Sequence, residues 1–379
     1  MVLSKPLPYD CNRHIIMHME PNLRILLSLR CPSLQAADKS VPFKCQKLEF
    51  KENETTIDEV DYKVGIHIHM ANKNRITEHI ANFNRSGGLN CDIDMVGRRD
   101  WLKLRDLYPG DVQLQPLREG QRADDPIFGD HQPFLQFTVK YQNEEYIERV
   151  EYTKSLIEAY IHINSLLFGG RSEPIRVKHL QLRADILRLP KAVKFHSKEV
   201  DARFTTANGF EKLKEIMKAS SFPLNLCGVG YMSNDWSTFE HPVFRSARCV
   251  FIRNEENNQP ELFRRLLELP HENITVQSRL SWRTFQTITE NWRRTQRKVG
   301  TTLIIKRVHT KDVENVLNQI LQEWQHRENK NEDFIVHLYQ DKKLRISSGD
   351  THEELPRNPR LWDNYRNFLK LEVIDVDNE

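Results

Sequence analysis

The sequence predicts a mixed α/β protein in three parts: a small helical head over residues 1–45, a central α+β domain over 46–190, and a C-terminal α/β array over 191–379. Three observations carry this. Proline-broken helical stretches fill the head, and period-two alternation sets in at Cys45. Beyond Pro190, strand-like pieces start near Phe222, Ala247, Asn273 and Thr301, 25 to 28 residues apart, with amphipathic helices between them. A chain of 379 residues has length for two or three cores, since domains usually hold roughly 100–200 residues each.

In the head, Asp10 is placed to cap a helix carrying Ile15, Ile16 and Met19, and Asn22 to cap a second carrying Leu23, Leu26, Leu27 and Leu29. Cys31-Pro32-Ser33 ends that helix and starts a third, through Leu34 to Ala37. Helices this short cannot bury a large core alone. Their apolar faces are expected to pack on the next domain or to await a partner.

The central part opens with strands, Lys47 to Phe50 and Tyr62 to His69, about a polar turn. Residues 71–130, rich in Asn, Asp and Arg, read as long surface loops with a short helix near Trp101–Leu107. Leu135, Phe137, Val139 and Tyr141 share a strand face, and a turn at Gln142-Asn143 returns the chain as a hairpin. The stretch Leu156–Pro190 then reads as helix, tight turn, strand. Leu156, Ile157, Tyr160, Ile161, Leu167 and Phe168 form one helical face, Gly169 stands at the expected left-handed stop, and Pro174 forces Ile175–Leu182 to extend. A glycine pair before a basic residue can cradle a phosphate when it opens a helix; here it closes one.

In the array, helices are expected at Phe210–Ala219, Glu261–Leu269, Trp282–Arg297 and Val313–Trp324, with later strands at Phe334–Leu338 and Leu369–Ile374. The repeat length fits an irregular leucine-rich-repeat-like α/β array, although no consensus asparagine ladder is visible.

Two sets of residues resemble one family. Leu-Leu-Phe-Gly-Gly-Arg-Ser-Glu-Pro-Ile (166–175), Val-Lys-His-Leu (177–180) and Leu-Arg-Leu-Pro (187–190) resemble the central domain, of unknown function, of the nematode F-box C proteins. The opening is similar to the same family's start, with Leu7, Pro8, Ile15, Met19, Pro21 and Cys31 where an F-box has its Leu-Pro, its Ile, its Leu, the proline of its bend and its Cys. The resemblance implies that these six positions lay an apolar surface on the adaptor subunit of a cullin–RING ubiquitin ligase, and that the rest of the chain holds a protein substrate it does not name. The sequence departs from the pattern at Arg30, where the family usually has Val, and in lacking the Trp that follows.

Composition narrows the alternatives. With 56 Lys and Arg against 53 Asp and Glu, the net charge of +3 supplies no field for nucleic acid or an acidic membrane. Six scattered cysteines without a Cys-x-x-Cys pair are those of a reduced compartment, cytosol or nucleus. No apolar run approaches the roughly 20 residues of a membrane helix. Cys11, His14 and His18 have metal-like spacing on one helix but no nearby fourth ligand, and His67 with His69 on a strand face are two ligands without a third. Trp282, Phe285, Ile288 and Trp292 alternate with Arg283, Arg293, Arg294, Arg297 and Lys298, a mixture that suits single strands. Because the aromatics and the cations fall on separate stripes, a helix docked on a sheet explains them better. Asp92, Asp94, Asp124 and Asp125 read as solvated turn acids.

No nucleophile–base pair, phosphate loop or dinucleotide fingerprint is present, so no enzyme activity and no cofactor or metal is expected. The sequence thus points to an intracellular interaction protein, an F-box-type substrate receptor. The alternatives are a stand-alone scaffold without adaptor binding and, more weakly, a nucleic-acid binder using residues 282–298.

Overall fold

The computed structural model describes residues 9–70, 77–94, 98–100, 103–115, 131–202, 206–231, 236–254, 260–278, 281–295, 297–306, 318–319, 329–330, 333–339, 342–350 and 367–375. It has the expected mixed α/β class and divides into two compact units, Met1–Val200 with Asn208–Phe222, and Asp201–Ala207 with Pro223–Glu379.

The first unit starts with three short helices, α1 (Tyr9–His18), α2 (Pro21–Arg30) and α3 (Pro32–Ser40). The chain then forms β1 (Lys44–Lys51), β2 (Glu54–Ile57), β3 (Val60–Met70), α4 (Glu78–Arg85), the short strands β4 (Asp92–Ile93), β5 (Arg99–Asp100) and β6 (Val112–Gln113), and the hairpin β7 (His131–Tyr141) and β8 (Glu144–Glu151). After it come α5 (Leu156–Phe168), β9 (Ile175–Leu182), β10 (Ile186–Leu187), β11 (Phe195–His196), β12 (Glu199–Ala202) and α6 (Ala207–Ile216). The sheet of this unit runs β9-β1-β2-β3-β7-β8, antiparallel throughout except for the parallel pair β1 and β9. The β7–β8 turn forms at the expected Gln142, whose φ is +53°.

Helix α5 packs across this sheet. Ser155 and Glu158 close a capping box at its start, and Leu156, Ile157, Tyr160, Leu167 and Phe168 are buried, as the spacing predicts. Leu156, Ala159 and Tyr160 meet Val64, Ile66, Ile68 and Leu135 in one apolar cluster. Phe168 and Phe195 each set their rings edge-on to Phe50 at 5.8 Å. Polar groups in the same layer are satisfied: the Tyr160 hydroxyl donates to the Glu54 carbonyl (2.9 Å), Thr55 donates to Asn164 Oδ1 (2.8 Å), and Asn164 Nδ2 donates to the Arg188 carbonyl (2.8 Å).

Two expectations need correction. The left-handed residue after α5 is Gly170 (φ +71°), whereas Gly169 is extended (φ −65°, ψ 151°). Gly169 is required for a different reason: a Cβ there would lie 2.5 Å from the Ser165 carbonyl oxygen. The described residues of 71–130 are also more structured than loops. They contain α4 and three short strands, while the helix expected at Trp101–Leu107 is a 3-10 turn over Lys103–Arg105. The polar residues that read as loop serve as brackets. Asn84 Nδ2 donates to the Ile68 carbonyl (2.8 Å) and its Oδ1 accepts from the Ile68 amide (3.0 Å), so one side chain caps a strand edge as a backbone would. Gly88, at φ +96°, lets the chain approach Ile66 so closely that any Cβ would lie 2.8 Å from its amide nitrogen.

The second unit contains β13 (Leu226–Tyr231), α7 (Ser237–Glu240), α8 (Pro242–Arg245), β14 (Cys249–Asn254), α9 (Pro260–Leu266), β15 (Asn273–Gln277), α10 (Trp282–Thr295) and β16 (Thr302–Lys306). β17 (Asn329–Lys330), β18 (Asp333–Tyr339), β19 (Lys342–Asp350) and β20 (Asn367–Asp375) complete it. The four strands β13 to β16 are parallel and adjacent in chain order, with Leu226, Cys249, Asn273 and Thr302 in register at spacings of 23, 24 and 29 residues. Strand, helix, strand therefore repeats as the sequence implies. Beyond β16 the sheet turns antiparallel, through β20, β19, β18 and β17. The helix expected at Val313–Trp324 lies almost wholly outside the described residues.

Candidate functional site

The head is assembled from the inside by charge. Arg24, Ser28 and Ile25 on α2 are buried, while Leu23, Leu26 and Leu29 are 46%, 42% and 44% exposed. Of the two expectations for the leucine face of α2, packing on the next domain or awaiting a partner, Leu23, Leu26 and Leu29 do not follow the first. The cause is Asp38 on α3, itself 2% exposed. Its Oδ1 accepts from Arg24 Nε (2.9 Å) and its Oδ2 from Arg171 Nη2 (3.0 Å). Arg24 also donates to the carbonyls of Pro42 (2.8 Å) and Asp38 (3.1 Å). Both guanidiniums lie over the buried Phe43 ring, at 5.3 Å and 4.4 Å from its centre. An ionised carboxylate in such a place is stable only with its partners, so α2 must present Arg24 inward. The leucines are thereby turned out.

Arg171 reaches this centre from the turn after α5, and it explains the Gly-Gly-Arg sequence. The two glycines fold the chain back so that Arg171 points under α3 and ties the head to the central helix. Burial is the largest influence on Arg171 and holds its pKa below the ordinary guanidinium range despite Asp38. The neighbouring Lys39 is pushed down to about 8 by burial and then by Arg171, and its Nζ donates to the Leu166 carbonyl (3.1 Å).

The caps differ from those expected. Glu20 caps α2, its carboxylate accepting from the amides of Asn22 (3.0 Å) and Leu23 (2.7 Å), while Asp10 lies within α1. Asn22 instead accepts from the Tyr62 hydroxyl (2.9 Å) and pins α2 to β3.

Between the three helices runs an apolar groove of about 150 Å³, lined by Ile15, Ile16, Met19, Leu27 and Leu34 with Asn12, Arg24, Ser28 and Asp38. Of the six candidate adaptor-binding residues, the structure brings Ile15 (47% exposed) and Met19 (half-buried) together there. Pro21 starts α2, and Cys31 joins α2 to α3 with its amide donating to the Leu27 carbonyl (2.8 Å); both set backbone direction. Leu7 and Pro8 lie outside the described residues. Leu34 and the Arg24–Asp38–Arg171 centre were not singled out as site residues. Only an arginine in register with Ser28, one turn on, hints at an inward polar face.

In the second unit, the sheet face carrying Asn273, Thr275, Gln277, Thr302 and Ile304 is half-buried, whereas Ile274, Val276, Leu303 and Ile305 on the other face are buried. Lys370 and Arg345 extend the first face and both face Glu372, at 3.3 Å and 3.9 Å. Arg253 pairs with the buried Asp201 and covers the Phe251 ring at 4.6 Å.

The remaining candidates are placed as follows. Cys11, His14 and His18 are exposed on α1, and among the described residues no three His, Cys, Asp or Glu side chains gather as metal ligands would. Burial pushes the His67 pKa down to about 4, helped by Arg149 and His69, and its Nδ1 is buried without a hydrogen-bond partner. On α10, Phe285, Ile288 and Trp292 are buried while Arg283 and Arg294 are exposed, the docked-helix arrangement. Asp92 is not a solvated turn acid. It is fully buried and accepts from the Leu156 amide (2.8 Å) and the Tyr152 hydroxyl (2.5 Å). Asp124 and Asp125 lie outside the described residues.

Comparison with known families places a match here. Residues 155–309 match the model of a domain of unknown function (DUF3557). The matched stretch begins at the capping serine of α5, includes Arg171 and the parallel strands, and ends just beyond β16. No curated protein and no solved structure matches the chain.

Proposed function

We propose that this chain is an F-box-type substrate receptor of the cytosol or nucleus, whose helical head docks on the adaptor subunit of a cullin–RING ubiquitin ligase and whose C-terminal array holds a protein substrate. The observation that carries the reading is the apolar surface of the head: Ile15, 47% exposed, lines an apolar groove with Met19 and Leu34, and Leu23, Leu26 and Leu29 on α2 are each more than two-fifths exposed. An apolar groove and exposed apolar side chains on so small a structure fit a protein partner. Ile15 and Met19 there stand where the F-box pattern puts its contact residues. The half-buried sheet face of the second unit, mixing Thr275, Gln277 and Ile304 with Lys370 and Glu372, suits a polar protein surface. Cys45, Cys91 and Cys227 are buried free thiols, in keeping with a reduced compartment.

The test is titration of the full chain with the purified adaptor subunit. Ile15→Asp and Leu26→Asp put carboxylates into the contact and are expected to weaken binding by roughly thirtyfold or more, the scale of an interface anchor. The melting temperature should hold, because both side chains are already exposed. If the wild type does not bind and Arg30→Val does not restore binding, the reading falls to the stand-alone scaffold.

A further inference from the structure

Strand β8 is unusual among the described strands in that all eight of its residues are exposed. Among the described residues it ends the sheet and pairs with β7 alone, so its other edge offers a row of backbone N–H and C=O groups. Tyr146 is 67% exposed, Ile147 41% and Val150 37%, and Tyr141 at the end of β7 is 45% exposed. The register puts Tyr146 and Val150 on one face, opposite Val139 and Leu135, and Ile147 on the other, opposite Thr138. A strand ordered in this way gains little from the core.

Its charge is one-sided. The strand carries Glu144, Glu145, Glu148 and Glu151 against Arg149, whose Nε donates back across the sheet to Gln136 Oε1 (2.9 Å), and Lys140 on β7 stands opposite Glu145. Glu144 and Glu148 stand opposite Tyr141 and Phe137, so across the ladder no cation answers them. A second copy of the chain fits poorly: antiparallel self-pairing in full overlap would set Glu144 against Glu151, and like charges directly opposite destabilise a ladder.

We propose that β8 is a strand-addition site for an extended segment of another protein in which every second residue, on one face, is in turn lysine or arginine and a β-branched apolar residue. The backbone edge supplies the hydrogen bonds, Glu144 and Glu148 meet the cations, and Tyr146 and Val150 meet the apolar side chains. This site is independent of the head and of the function proposed for it.

The experiment uses the full chain and a short capped peptide that repeats lysine, threonine, valine, threonine, followed by fluorescence anisotropy and amide hydrogen exchange. Binding should slow exchange within 144–151 and should weaken as salt is raised. It should fall about tenfold when Glu144→Lys and Glu148→Lys are combined, a change of exposed side chains that leaves the fold intact. The same peptide with alternate backbone nitrogens methylated should not bind. The proposal is overturned if the lysine peptide does not bind, if the same peptide with glutamate in place of lysine or the methylated peptide binds equally well, or if the charge reversal changes nothing. It is overturned too if the chain alone dimerises through residues 144–151, which would make a second copy the occupant.

Discussion

Asp38 is the residue on which the head depends. One carboxylate holds Arg24 from its own helical segment and Arg171 from 133 residues further along the chain. Asp38→Asn would leave two buried guanidiniums without a countercharge, and breaking such a site usually costs about 3–5 kcal/mol. Urea unfolding should show that loss as a lower midpoint with an unchanged slope. His67 gives the pH dependence. Its folded pKa of about 4 lies below the ordinary 6.5, so the unfolded chain takes up a proton that the folded one refuses. Its contribution is therefore complete above about pH 6.5 and is lost as pH falls toward 4. Water reaches the half-buried ring and screens part of this. The urea midpoint of His67→Gln is expected to change less between about pH 7 and pH 5 than that of the wild type.

Among the elements, α5 has the most to hold. Its capping box fixes its start, its buried face packs on β3, and the turn that ends it delivers Arg171. Leu167 is 2% exposed near the end of this helix. Leu167→Ala should lower stability by about 2–4 kcal/mol, as for a well-packed leucine. A loss of a few tenths in chemical denaturation would mean that this end of the helix is not packed as described. Helix α4 is held by Ile80 and Phe83 on the same apolar cluster and by Asn84, bonded to the backbone of Ile68.

Across the whole molecule, the cysteines report on folding in both units. Burial pushes the Cys45 and Cys227 thiols up, so they are poor nucleophiles as well as covered. Cys11 is exposed, and Cys31 and Cys249 are half-buried. Maleimide labelling of the native chain should modify Cys11 first, Cys31 and Cys249 more slowly, and Cys45, Cys91 and Cys227 only after denaturation. Peptide mapping by mass spectrometry reads the order directly. Early labelling of Cys227 would contradict the packing of β13.

The mixed class, the α5 helix, the β7–β8 hairpin and the strand–helix repeat were legible in the sequence because each rests on contacts between residues close in the chain. Periodicity reports those contacts: apolar positions at 156, 160 and 167 mark one helix face, and Gln142-Asn143 marks a turn. The F-box resemblance set Ile15 and Met19 among six site residues, and the structure places these two on one groove. The sequence could not show which way α2 faces. Leu23, Leu26 and Leu29 form an apolar face that could pack on the next domain or await a partner, and only the tertiary structure shows Arg24 taking the inside. The reason is that the choice is made by Asp38, Phe43 and Arg171 together, and the energy of a buried charge depends on partners that local spacing does not reveal. The same holds for Asn84 and Asp92, whose composition reads as loop until the strand edge and helix end they satisfy are in place.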